Sequence, residues 1–353
     1  MIPNRVRRNY RGGAGIDRLQ LNAAFNNLYS DGDKPEEWMA SLVNARNPGL
    51  PPVENEGLSR CAINGKPLFI DLIRSKPEFY LGKEWFNSHG LDLGFLFKIL
   101  DSAIRLHVQV HPTAGFARKY LGSPYGKFEC YYILSIRDGS EGYIRLGFQH
   151  LPSRSEWRRI IEEQDIAAMD ACFEKIPVNA GDVWFIPGGV AHAIGENTLM
   201  LEIMEPSDLV VRCEFEREGI VVPPEARFMG RDLDFCLDVF DYEEQSVSDV
   251  REKYRLFPKP LPESRGGALF EELASPPKAP FLVRRLVLEP DTDIAIGNVS
   301  FNAAVVTRGK ASIGCNGEEI TLTQGQSLFI AAAARELKIR SAGNAELCFV
   351  QPG

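Results

Sequence analysis

The last quarter of the chain leaves little freedom of architecture. Beyond residue 280 it runs through short β-rich stretches at 281–287, 301–306, 311–315, 319–322, 327–331, 337–341 and 346–351. Arg308-Gly309, Asn316-Gly317 and Gln324-Gly325 punctuate them. Strands this short and evenly spaced bury their apolar faces by folding into a small sandwich or barrel. The centre of the chain has the same texture. The expected fold is therefore mainly β, with two related jelly-roll barrels joined by a small helical segment.

The remaining elements follow from local pattern. Helical signals stand at residues 20–29, and residues 48–52 read as a loop. Apolar runs at 67–73 and 94–100 read as strands, followed by alternation over 105–111. Residues 131–136 and 143–148 are strand-like, with Asp138-Gly139 as a tight turn between them. Residues 153–175 change to helical spacing, and 181–186 and 199–204 return to strand. Residues 223–254 read as mainly helical, and the proline-rich 258–280 as a linker. The implied organisation is an N-terminal catalytic domain over 1–222, with a helical insertion at about 153–175. A helical segment and linker over 223–274 and a C-terminal β-domain over 275–353 complete it.

Composition excludes some functions. A chain of 353 residues supports two or three domains. Its formal net charge of -8 argues against a nucleic-acid partner, because phosphate backbones need a basic surface. A small phosphorylated ligand remains compatible, since it needs only a few well-placed cations. No run reaches membrane-span length, and the basic start at residues 1–13 is not followed by an apolar stretch. The 7 cysteines are scattered, without a CxxC pair, and read as reduced thiols of a cytoplasmic protein.

Three segments carry chemistry. In Leu106-His107-Val108-Gln109-Val110-His111-Pro112, strand alternation puts His107, Gln109 and His111 on one face and the valines on the other. Two imidazoles and a carboxamide in a row face water, a polar cavity or a metal. In Gly126-Lys127-Phe128-Glu129-Cys130, Lys127 and Glu129 share a face at the entry to an apolar strand, either as a surface ion pair or as site groups. The third segment, residues 181–192, has the spacing G-x5-P-x-G-x2-H and ends at His192. It resembles the second motif of the cupins, in which that histidine is a metal ligand. Glu129 follows His111 by 18 positions, further than a generic first cupin motif places its glutamate.

That wider spacing is similar to the type I phosphomannose isomerases. Residues 95–101 followed by Val108-Gln109-Val110-His111-Pro112 resemble their signature around the first two ligands. Gly126-Lys127-Phe128-Glu129-Cys130 is similar to their GKTEC segment, and residues 187–195 match their PxGxxHAIG segment. Residues 207–212 resemble SDNVVR, Glu37-Trp38-Met39 resembles part of ELWMG, and residues 4–13 resemble the N-terminal strand and WGG turn. The resemblance covers residues 1–215 in ordered pieces and the tail more loosely.

It implies one divalent metal ion, most often zinc, held by Gln109, His111, Glu129 and His192, with an open position for water or substrate oxygens. It also implies interconversion of mannose 6-phosphate and fructose 6-phosphate through an enediolate. Lys98, Lys127, Arg212 and Glu202 would be catalytic, and His107, Lys98, Lys127 and Arg212 would contact substrate. Glu202 sits in an apolar strand, facing the same way as Met200 and Met204; it is a candidate base or a structural partner of Arg212 or Lys127.

The sequence departs from that family at three points. His107 replaces a small serine, Thr113-Ala114 follows His111-Pro112 where an Asp or Asn and a Lys are usual, and Arg11 replaces the tryptophan of the turn. Two alternatives therefore stay open: an isomerase of another or an unphosphorylated sugar, and a non-catalytic sugar-binding cupin. The C-terminal β-domain has no histidine, so it is expected to be metal-free.

Overall fold

The computed structural model describes residues 1–21 and 30–353. The helix Ala14–Leu21 is described, but most of the helical signal at 20–29 falls outside the described residues.

Two antiparallel sheets form the N-terminal half. The larger runs Arg5–Val6, Glu36–Met39, Leu96–Ser102, Thr198–Met204, Glu129–Ile136, Val183–Ile186, Arg255–Leu256. The smaller runs Val211–Arg212, Gln109–Val110, His192–Ile194, Gly142–Leu146, Ile176–Val178. Between them, Leu100, Tyr131, Ile133, Trp184 and Met200 of the first meet Ile144, Leu146, Ile176 and Ile194 of the second. The C-terminal half repeats this plan with sheets of six and four strands. Its interior is apolar, with Phe270, Leu286 and Leu347 facing Ile313, Leu337 and Ile339. The architecture is thus the expected mainly β, cupin-like one, in its double-sheet form.

Alternation explains how the halves join. In Thr198–Met204, Leu201 and Ile203 belong to one apolar cluster, whereas Met200 and Met204 face the opposite way. In Leu96–Ser102, Phe97 and Ile99 take the first side, and in Glu129–Ile136, Cys130 and Tyr132 do the same. The C-terminal strands answer with Phe281, Val283, Ala303, Val305, Cys348 and Val350. Strands covered on both sides carry little polar alternation. The site residues occupy the other face of these same strands.

Several local expectations are corrected. Residues 67–73 are not a strand: Phe69–Ser75 is a helix that buries Phe69 and Ile73, one turn apart. A short apolar run has no period long enough to separate the two forms. Of 105–111, only Gln109–Val110 is strand. Asp138-Gly139 does not close a hairpin between paired strands; the chain passes there from the larger sheet to the smaller. Over 223–254 the helices are short, Leu233–Leu237 and Val247–Tyr254, the second opened by a Ser246–Asp249 capping box. The proline-rich stretch read as linker holds Lys259–Pro260 and Ala268–Ala274, both strands of the six-stranded sheet. The strand Thr292–Gly297 was not expected; its buried Thr292 and Ile294 alternate with exposed Asp293 and Ala295, a run too short and too poor in large apolar residues to stand out. The helical spacing over 153–175 corresponds to the helix pair Arg154–Glu163 and Ile166–Ala171. No helix among the described residues is long and apolar enough to cross a membrane.

Candidate metal centre and active site

The antiparallel register brings distant segments together. Gln109 lies opposite both His192 and Arg212 in the smaller sheet. Glu202 lies opposite Lys98 on one side and Tyr131 on the other in the larger sheet. Two glycines set how closely the ligand loops approach. A Cβ on Gly126 would stand 2.4 Å from the Pro112 carbonyl oxygen, and one on Gly188 would stand 2.6 Å from the same atom. Only glycine lets both loops close on the turn after His111.

His111, Glu129 and His192 form a buried cluster whose ligand atoms all lie within 4.8 Å of one another. His111 Nε2 is 3.1 Å from Glu129 Oε1, and His192 Nε2 is 3.5 Å from Glu129 Oε2. The Gln109 carboxamide reaches to 3.3 Å from His192 Nε2. Donors placed around a tetrahedral zinc ion at ~2.05 Å would be about 3.3 Å apart. Neither His111 Nε2 nor Glu129 Oε1 has a hydrogen-bond partner among the described residues, close as they are. Both imidazoles are held from behind: His111 Nδ1 is 2.9 Å from the Leu209 carbonyl and His192 Nδ1 is 2.9 Å from the Val190 carbonyl. A proton on Nδ1 leaves the Nε2 lone pairs turned toward the carboxylate, as a metal ligand requires. Burial lowers the basicity of both rings, and Lys127 adds to this at His111, which falls to about 3. Burial alone would raise the Glu129 carboxyl; Lys127 and the imidazoles outweigh it and hold it well below the carboxylate range. Neutral imidazoles, an ionised carboxylate and an amide suit a borderline divalent ion. The residues fit the group the sequence implied.

Beside this cluster lies a small cavity lined by Lys98, His107, Gln109, Lys127, Glu202 and Arg212, with Arg8, Tyr10 and Glu36 among its other walls; Gln109 and Lys127 connect it to the cluster. It opens toward a wider vestibule that shares Arg8, Asn9, Tyr10 and Arg212. Every catalytic or substrate candidate taken from the sequence therefore lines one space. Glu202 meets neither of its expected partners: Lys98 Nζ donates to its Oε2 at 2.9 Å. Burial raises the Glu202 carboxyl above its ordinary value, opposed by Lys98 and reinforced by Glu129. Burial would depress the Lys98 ammonium, but Glu202 and Glu36 prevail and raise it. Lys127 Nζ stands 3.2 Å from Glu129 Oε1. His107 is buried, with its basicity lowered to about 4 by desolvation and by Arg212 and Arg105.

Sequence reading missed a further layer. Glu36 Oε1 accepts from Tyr10 at 2.7 Å, its Oε2 accepts from Trp38 Nε1 at 2.7 Å, and Arg8 and Lys98 flank it. Arg8 also reaches Asp208 at 3.2 Å. Tyr131 donates its hydroxyl proton to Glu129. The signal for Tyr131 was present, two residues beyond Glu129 on the same strand face. The Arg8–Glu36–Asp208 contacts join three separated segments, and no spacing announces them.

No protein-family model matches the chain. It is similar to the mannose-6-phosphate isomerase of Streptococcus mutans, 38% identical over 133 residues, covering 37% of this chain and 40% of that protein. It is 34% identical over 117 residues to a mannose-6-phosphate isomerase of Bacillus subtilis, covering 33% of this chain and 35% of that protein. The matched stretches thus span less than half of these curated relatives' lengths. Among solved structures, the mannose 6-phosphate isomerase from Bacillus subtilis superposes with a TM-score of 0.72 at 19% identity, covering 99% of this chain and 98% of that one. A mutant of phosphomannose isomerase from Salmonella typhimurium gives 0.69 at 17% identity, with 99% and 98% covered. The chain therefore has the fold of the phosphomannose isomerases over nearly its whole length, and over about a third of it is related in sequence to proteins named mannose-6-phosphate isomerase.

Proposed function

We propose that this chain is a metal-dependent aldose–ketose isomerase that interconverts mannose 6-phosphate and fructose 6-phosphate through an enediolate. One observation carries the reading: a carboxyl of raised basicity and several buried cations line one cavity, and Gln109 and Lys127 of that lining reach a buried His–Glu–His cluster. The ion is a divalent one, zinc by its donor set, held by Gln109, His111, Glu129 and His192. When bound, it supplies Lewis-acid polarisation of sugar oxygens.

The chain's own groups do the rest. Glu202 is the base that carries a proton between the two reacting carbons; its raised basicity in a buried site suits proton transfer near neutrality. Lys98, hydrogen-bonded to Glu202, orients the carboxyl and places positive charge beside the developing enediolate. Lys127 and Arg212 add cationic walls that suit the phosphorylated end of the substrate. Tyr131 and Lys127 hold the Glu129 oxygens in place. Seven free cysteines suit a reducing, cytoplasmic setting, which belongs to the same proposal. The test is conversion of mannose 6-phosphate to fructose 6-phosphate by metal-reconstituted protein, with and without chelator. Chelator-sensitive turnover is expected. Stoichiometric metal binding without turnover would instead favour an isomerase of another sugar or a sugar-binding role.

A further inference from the structure

The vestibule outside the inner cavity carries a charge opposite to that of the chain. Arg8, Arg11, Arg46 and Arg212 line it, and among the described residues Asp33 is the one acid on the same wall. The chain as a whole has a formal net charge of -8. The four arginines differ in what answers them. Arg8 is buried, donates to Asp208 at 3.2 Å and stands 3.3 Å from Glu36, so its charge is matched. Arg212 Nη1 donates to the Ala226 carbonyl at 2.6 Å, a neutral partner. Arg11 and Arg46 are exposed at the mouth, and neither side chain has an ion-pair partner among the described residues.

Their backbones are fastened where they are. Arg7 Nε donates to Glu56 Oε1 at 2.9 Å, its Nη2 donates to the Pro51 carbonyl at 2.8 Å, and Asn47 Nδ2 donates to Glu56 Oε2 at 3.1 Å. These bonds tie the loop of Arg46 to the segment of Arg8. The Arg11 carbonyl accepts from the Ala103 amide at 2.9 Å, and Gly12 pairs with Gly32. Inner cavity and vestibule share Arg8, Asn9, Tyr10 and Arg212. A substrate with its reacting carbons beside Glu202 therefore extends its far end past Arg212 into the vestibule. At the inner end, Lys127 already stands 3.2 Å from Glu129 Oε1, which leaves the vestibule arginines as the unmatched cations. Guanidinium groups present paired N–H donors that suit phosphate oxygens. Leu50, Val221 and Pro223 give the same wall apolar surface, and a cation-bearing cleft with such walls concentrates anions. Arg11 is also where the sequence departs from the family's turn, so this feature is the chain's own.

We propose that Arg11 and Arg46 are specificity-determining residues that, with Arg212, receive the phosphate of the substrate in the vestibule. They select a phosphorylated sugar over the free sugar at a point remote from the reacting carbons. This assignment rests on the isomerase reading above.

The experiment measures calorimetric binding of mannose 6-phosphate at low and high salt. It uses metal-loaded wild-type protein, Arg11→Ala with Arg46→Ala, Arg11→Lys with Arg46→Lys, and Asp33→Asn, with metal content and turnover determined for each. Both arginines are exposed, so neither substitution opens a core. The alanine pair should bind about tenfold more weakly than wild type at low salt. That gap should narrow at high salt, as a purely structural loss would not. The lysine pair, which keeps the charge, should recover part of the affinity, and Asp33→Asn should tighten binding. Unchanged affinity in the alanine pair, or a loss of the same size at both salt concentrations, overturns the assignment, and turnover by wild type then leaves the isomerase reading in place. Binding in the expected order by a protein without turnover keeps the phosphate site and overturns the isomerase reading. Absence of any mannose 6-phosphate binding by wild type overturns both.

Discussion

The two halves of this molecule are built on one plan and filled differently. In the C-terminal half the space between the sheets is closed by Phe270, Leu286, Ile313, Ile339 and Leu347. In the N-terminal half, Lys98, Glu129, Glu202 and two histidines take part of the corresponding space, all nearly fully buried. A double-sheet interior tolerates such groups only when they are paired with one another or with a bound ion. The C-terminal half contributes instead through its outer face, which covers the back of the very strands that carry Lys98, Glu129 and Glu202. One half holds a charged cavity, and the other supplies the apolar backing that keeps its wall rigid.

The sharpest way to break this contrast is to remove a ligand. His192→Ala should lower metal affinity by more than about a hundredfold and abolish chelator-sensitive turnover. Metal retained at wild-type stoichiometry, read by elemental analysis, would move the ion out of this cluster. Glu202→Gln should keep the metal and lose roughly 10²–10⁴-fold in turnover. Full activity in that variant would leave Glu202 as a mere partner of Lys98.

The covering role of the C-terminal half is tested at Phe281, fully buried between the halves and edge-on to the ring of Phe128 at 5.9 Å between centroids. Phe281→Ala should cost about 3–5 kcal/mol. A single melting transition should shift as a whole, because the truncated ring packs against both halves. Two transitions, of which only one moves, would show that the halves fold independently.

The smallest expected effect is acid sensitivity. Burial would raise the Asp208 carboxyl, but Arg8, Lys127 and Arg212 hold it at about 2, against a reference of 3.8. A carboxyl depressed in the folded state stabilises the protein above its unfolded value, and that stability disappears as pH falls through the folded value. The contribution, about 2 kcal/mol, should thus be present above about pH 4 and lost between pH 4 and 2. Asp208→Asn should flatten stability over that window in acid titrations followed by circular dichroism.

How much of this was legible beforehand depends on the range of the interaction. Alternation put His107, Gln109 and His111 on one face, Lys127 and Glu129 on another, and Glu202 opposite Leu201 and Ile203; the last two groupings hold in the structure, whereas only Gln109–Val110 of the first segment is strand. The tail strands were equally readable, since turn residues and β-branched runs act over a few positions. Residues 67–73 were misread because seven residues cannot separate a strand from a helix by period. Ala268–Ala274 was hidden because its prolines and glycines lie around the strand rather than in it.

The sequence by itself determined the mainly β class and the absence of histidine from the tail, and it singled out His111, Glu129 and His192, which the structure gathers into one buried cluster, because residue identity and short-range pattern suffice for each. Only the tertiary structure decided which charges meet. It paired Glu202 with Lys98 rather than Arg212 or Lys127, and joined Arg8 to Glu36 and Asp208. The reason is physical: a buried charge takes its partner from whatever strand register and sheet packing place within a few ångströms. That choice is made by the whole fold, not by neighbours along the chain.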